Sequence, residues 1–191
     1  MYTDSTRQPI LNDQWYVHLE TGTKYPPGYP RNLIPGLHPV TLVPAPTGNV
    51  VVSGFTINDN YEQVWDYRDK TRDEINAELL PALTNYRYGK EIGGLSLNGV
   101  TIQTDRESRP NLIAAKITAA SDPEYTIVWK TDSGFVPLNA QEITAVADAV
   151  RAHVENCFKA ELAVTVDISN YATQQEVFDA FDQAYAEAAQ A

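Results

Sequence analysis

Eight of the twelve prolines in this chain lie before residue 50, several of them in the run KYPPGYPRNLIPGLHPVTLVPAP. Each proline fixes φ and removes a backbone donor, so this segment cannot form a long helix or the centre of a sheet. Short pieces around it, QWYVHLE and NVVVSGFTI, have strand composition, and in YEQVWDYRD Val64 and Asp66 alternate around Trp65. Residues 1–70 are therefore expected to form a small, irregular, β-rich module or docking arm.

Beyond Thr71 the pattern changes. Thr71 and Glu74 have capping-box spacing, and Ile75, Leu79, Leu83 and Tyr86 follow at helical intervals. Pro81 in their midst predicts a kink or two short helices. LSL and VTI then flank Asn98-Gly99, the pair best suited to a type I′ turn, which predicts a β-hairpin. Thr104 and Glu107 repeat the capping box, ahead of a helix with the face Leu112, Ile113, Lys116 and Ile117, its start delayed by Pro110 to about Ser108.

The same grammar recurs in YTIVWKTDSGFVPL, which turns at Asp132-Ser133-Gly134 and leads to Asn139 and Glu142 at cap spacing. The third helix carries the stripe Ile143, Val146, Val150, Val154, Cys157 and Phe158. AVTVDI, residues 163–168, reads as a short strand, and Thr173 with Glu176 opens a last helix with Val177, Phe181, Ala184 and Tyr185 on one face. The expected class is α+β. The layout is the β-rich module at 1–70, a small domain of alternating hairpins and helices at 71–168, and an acidic C-terminal helix at 169–191.

A net charge of −11 opposes binding to phosphate backbones and anionic lipid, so no nucleic-acid partner is expected. Cys157 is the only cysteine, which excludes a disulfide within the chain and a thiolate-rich metal site from one copy. MYTDSTRQPILNDQ lacks the basic start and apolar run of an export signal, and no apolar stretch approaches the roughly 18–20 residues that cross a bilayer. Membrane insertion is not expected.

Chemistry-bearing motifs are sparse. His18, His38 and His153 stand apart with no metal-ligand spacing, and Ser53 and Ser133 lack the flanking glycine of a nucleophile elbow. YGKEIGG falls short of a phosphate-binding loop. Asp66, Asp69, Asp73 and Glu74 are interleaved with Arg68, Lys70 and Arg72, the pattern of a solvated helix start, and NDNYE at 58–62 lacks the glycine of a calcium loop. The expectation is a protein without enzymatic activity, cofactor or metal. Trp15, Tyr16, Tyr25 and Tyr29, set among the prolines, and Trp65 are the candidate partner-binding residues. Three readings of them stay open: a small aromatic core, a protein interface, or a platform for sugars.

LNGVTIQTDRESRPNLIAA, DPEYTIVWKTDSGFVPLNAQEI and AVADAVRAHVENCFKAE occur in that order within roughly residues 90–161. Together they resemble a domain of unknown function, numbered 4376, found in bacteriophage and prophage tail proteins. YEQVWDYRDKTRDEINAE likewise resembles the segment that often precedes it. The resemblance implies a structural or adaptor component of a phage tail, at the distal tail, the baseplate or the fibre attachment. It would be made in the host cytoplasm, reside in the virion, contact fibre or baseplate subunits, and self-associate, most simply as a trimer. The family has no established biochemical activity, so the resemblance implies no catalytic residue. A fibre-assembly chaperone absent from the mature virion and a sugar-binding adhesin are the alternatives.

Overall fold

The computed structural model describes residues 15–26, 36–97, 99–131 and 134–190. The fold is α+β, and the chain divides into two compact units, Met1–Thr71 and Arg72–Ala191.

In the first unit β1 (Tyr16–His18) lies between β2 (Lys24–Tyr25) and β3 (Leu37–Pro39), antiparallel to both. Such short strands suit a proline-rich segment. The β-branched run builds β4 (Val50–Ile57), which pairs antiparallel with β5 (Gln63–Asp69) across a bulge between Val52 and Gly54. NDNYE is the turn that joins them. Asn58 Oδ1 accepts from the N–H groups of Asn60 and Glu62 at 3.0 and 2.9 Å, and Tyr61 takes a left-handed φ of 59°. Its ring stacks on His38 at 3.8 Å.

The second unit opens with α1 (Arg72–Ile92), followed by the hairpin β6 (Leu95–Leu97) and β7 (Val100–Ile102), then α2 (Ser108–Ser121). The hairpin β8 (Thr126–Thr131) and β9 (Gly134–Asn139) leads to α3 (Ala140–Val166), a single 3-10 turn at Ile168–Asn170, and α4 (Gln174–Gln190). Leu97 pairs with Val100, leaving a two-residue loop in which Gly99 has φ 80°, as a type I′ turn requires. Asn98, Asp132 and Ser133 lie outside the described residues, as do residues 1–14 and Tyr29.

Two apolar clusters share α3. One gathers Leu79 and Leu83 of α1 with Cys157, Ala160 and Val164 of α3 and Val177 and Phe181 of α4. The other packs Ile102, Leu112, Ala115 and Ala119 against Ala140, Ile143 and Val150 of α3, beneath both hairpins. α3 has its capping box: Asn139 Oδ1 accepts from the Gln141 and Glu142 N–H groups, and Glu142 accepts from Asn139 N. Thr173 and Glu176 exchange the same reciprocal bonds at 3.3 Å before α4.

Several expectations need correction. Of the two forms expected at Pro81, two short helices are excluded, because α1 is one continuous helix. Ala77, whose carbonyl loses its donor, and Pro81 both lie on the exposed face, where an orphan carbonyl costs least. Burying Leu79 and Leu83, each about 1.5–3 kcal/mol, outweighs the roughly 3 kcal/mol that an interior proline costs. Thr104 is not the cap of α2. The side chain of Glu107, which immediately precedes the helix, makes no cap bond. Asp105 instead closes the turn leading into it, where its Oδ1 accepts from the Glu107 and Ser108 N–H groups at 2.8 Å and its carbonyl takes Arg109 N at 3.2 Å. Those bonds to Ser108 hold its carboxyl below the usual range.

The expected strand at 163–168 is instead the end of α3 and the turn after it. Ala160, Val164 and Ile168 recur every four residues on the first cluster, and that packing overrides the β propensity of Val-Thr-Val. α2 buries Leu112, Ala115 and Ala119, while Ile113 and Ile117 of the expected face are exposed, because the small alanines let the helix approach α3 closely. Phe158, placed at the end of the α3 core stripe, is also exposed.

Candidate functional site

The aromatic set of the first unit comes together around Phe55. Trp15 meets its ring edge-on at 5.5 Å and Trp65 at 5.8 Å, and Lys24 Nζ lies 4.3 Å above it and bonds the Phe55 carbonyl. Trp65 Nε1 donates to the Val43 carbonyl at 2.9 Å. Tyr16 is buried and stands in register with Tyr25, beside buried Val17 and Val40. Thus Trp15, Tyr16 and Trp65 contribute to the packing of this unit, with Tyr25 half-buried at its edge. Tyr29 lies outside the described residues.

The densest chemistry lies elsewhere, where α1, α2 and α3 converge between the two apolar clusters of the second unit. Arg87 and Glu91 are one turn apart on α1 and form an ion pair. The second carboxylate oxygen of Glu91 takes Arg109 Nη1 of α2 at 2.7 Å. Arg87 Nε bonds Glu161 of α3 at 3.0 Å, and the other oxygen of Glu161 accepts from Thr84 Oγ1 at 2.8 Å. The Arg87 guanidinium also lies 4.5 Å over the Phe158 ring. Glu91 is 5% exposed, so this is a buried carboxylate held between two cations. Arg109 Nη2, in its buried position, has no hydrogen-bond partner among the described residues.

Thr104, fully buried, donates to the Glu91 carbonyl at 2.7 Å and accepts from Gly94 N at 3.0 Å. It thereby ties the end of α1 to the strand that follows. On the other side His153 presents Nε2 to the Lys90 carbonyl at 3.1 Å and Nδ1 to the Tyr185 hydroxyl at 2.6 Å. A carbonyl only accepts, so in the neutral ring Nε2 carries the proton and Nδ1 accepts from the tyrosine. Cys157 Sγ lies 4.0 Å from Nε2. Burial, then the nearby Glu91 charge, pushes its thiol up to about 11, and burial likewise raises Tyr185. At the rim Asp182 accepts from Lys90 at 2.9 Å and from Tyr86 at 2.8 Å. Its hydrogen bond raises the lysine, while burial and then Asp182 raise the tyrosine.

Within this cluster the thiol is protonated at neutral pH, both imidazole nitrogens are engaged, and both carboxylates are paired. What the arrangement does chemically is fix four helices to one another: the ion pairs join α1, α2 and α3, and Tyr185 and Asp182 bring in α4. Arg87, Glu91, Thr104, Arg109, Glu161 and Tyr185 were not visible to sequence reasoning as one group. Only the four-residue steps Arg87–Glu91 and His153–Cys157 signalled that each pair shares a helix face. Among the described residues, no group of three or more His, Cys, Asp or Glu is placed to hold a metal ion. No helix among them is long and apolar enough to cross a membrane.

The second unit is thus an α+β domain of two apolar half-cores keyed together by a buried ionic network. Residues 74–185, more than half of the chain, match the family described as Domain of unknown function (DUF4376), and the chain belongs to that family. No curated protein matches it, and no solved structure does.

Proposed function

We propose that this chain is a structural or adaptor component of a bacteriophage tail, working through protein–protein contacts in the distal tail, the baseplate or the fibre attachment. The observation that carries the reading is an apolar outer face on the family domain. Phe158, Leu162 and Val166 recur every four residues along α3, outside its buried stripe, and are between 50% and 74% exposed. Ile113 and Ile117 of α2 are exposed in the same range. Large apolar side chains grouped this way on a soluble unit mark contact surfaces. The ionisable groups of the buried network, by contrast, are engaged in holding helices. The resemblance of residues 90–161 to a domain of tail proteins supplies the setting. Residence in the virion, fibre or baseplate neighbours and self-association belong to the same proposal.

Quantitative mass spectrometry of purified particles, referenced to the major tail-tube protein, tests it. A fixed copy number relative to the tube is the expected result. Absence from particles despite expression in infected cells would overturn residence in the tail and favour an assembly chaperone.

A further inference from the structure

The second apolar cluster is not sealed. An open groove of about 290 Å³ runs between the two hairpins and the first turns of α3. Leu97 and Val100 line one side and Val136 and Leu138 the other, while Ala145 and Ala149 form a low floor. Small floor residues leave room for a side chain that the domain does not supply. At one end stands Glu142, exposed and the only charged side chain among the described lining residues. Its Oε2 accepts from Asn139 N at 2.9 Å in the capping box. Its Oε1 makes no hydrogen bond among the described residues.

We infer that this groove is a docking site for a basic, aliphatic peptide segment of a partner protein, with alkyl side chains against Val136, Leu138 and Ala149 and a cation on Glu142. Charge selects this occupant. A second copy of the chain also carries −11 and would bring net like charge up to Glu142. A small-molecule site of this kind usually encloses about 300–1,000 Å³, and this groove is open and at the lower limit. It is wide enough for two or three aliphatic side chains laid along it. The inference deepens the adaptor reading and rests on it only in taking the occupant to be protein.

The test uses the full chain with labelled methyl groups and two synthetic peptides, acetyl-LKLKL-amide and acetyl-LELEL-amide, followed by NMR titration. The lysine peptide is expected to shift the methyls of Val136, Leu138 and Ala145 and to bind at least fivefold tighter than the glutamate peptide. Glu142→Gln keeps the capping box, because glutamine serves at that helix position as glutamate does. It should therefore leave the fold intact and weaken the lysine peptide severalfold. Ala149→Phe should fill the groove and abolish the shifts, with unchanged circular dichroism as the folding control. Equal binding of both peptides, an unaltered affinity in the folded Glu142→Gln variant, or no groove shift with either peptide would overturn the inference. So would concentration-dependent broadening of the same methyls without peptide, which would assign the groove to a second copy. Particle stoichiometry and peptide binding are independent readouts, so either proposal can fail alone.

Discussion

Phe181→Ala is the sharpest test of how the second unit is held together. The Phe181 ring is completely enclosed, packs with Val177 on the α1–α3 cluster, and meets Tyr86 edge-on at 5.5 Å. Removing it forfeits the transfer energy of the ring and leaves a cavity, which together cost about 3–5 kcal/mol for a buried phenylalanine. The edge-on pair accounts for about 0.5–1.5 kcal/mol of that. A unit of 120 residues has a stability on the order of 6–18 kcal/mol, so the variant should still fold with a much smaller margin. At a urea slope of about 2 kcal/mol per molar, the midpoint should fall by about 2 M. Gln183→Ala, on the exposed side of the same helix, should stay within about 0.5 kcal/mol. The assay is urea unfolding of both variants by circular dichroism. A loss under about 1 kcal/mol for Phe181→Ala would mean that α4 is not docked as described, and the reasoning would fail.

Glu91→Gln keeps the shape of the side chain but leaves Arg87 and Arg109 without their shared anion. Breaking a buried pair costs about 3–5 kcal/mol, and the partial exposure of both arginines puts the expected loss near 3 kcal/mol, read by the same urea titration. A near-zero loss would place the network in solvent. Cys157 gives the pH prediction. Its folded pKa of about 11 lies above the ordinary 9.0, so between those values the unfolded chain has lost the thiol proton while the folded chain retains it. Stability is then fully present below about pH 9 and falls by up to about 1.4 kcal/mol per pH unit as pH rises towards 11. Cys157→Ala should flatten that slope in unfolding measured from pH 8 to 11. An unchanged slope would refute the assignment, with Tyr86 and Tyr185, both raised, contributing in the same direction.

Much of the fold was legible because it is written in local terms. Asn98-Gly99, Asn139 with Glu142 and Thr173 with Glu176 act over three or four residues, and the structure places hairpin and helices where those signals stand. Ile75, Leu79 and Leu83 repeat at the helical period on the face that is buried. Errors arose where a partner far along the chain decided the outcome. Ile113 and Ile117 look like core until Ala115 and Ala119 are seen to set the distance to α3. Thr104 reads as a cap until its hydroxyl is found bonded to the Glu91 carbonyl. The ionic network was the least legible feature, since Arg87, Glu91, Arg109 and Glu161 come from three separate helices and meet only after folding. No local pattern distinguishes Arg109 or Glu161 from an ordinary solvated charge.

The domain places residues against the simple rule of apolar inside and charged outside, and the two inversions have different energetic meanings. A buried ionic triad contributes little net stability, because desolvation offsets most of its attraction. What Glu91 supplies is orientation, since it accepts from α1 and α2 while Arg87 reaches α3. The exposed stripe Phe158, Leu162 and Val166 works the other way. Fully burying each side chain is worth about 1.5–3 kcal/mol, and the exposed fractions of the three leave on the order of 4 kcal/mol unclaimed in the isolated chain. Association costs about 4–15 kcal/mol in lost freedom, so this stripe alone does no more than offset the lower end. A single contact through it would be weak and short-lived. Repeated around a symmetric assembly, where each further contact forms at high effective concentration, the same stripe becomes sufficient, which is the condition that the proposed tail setting provides.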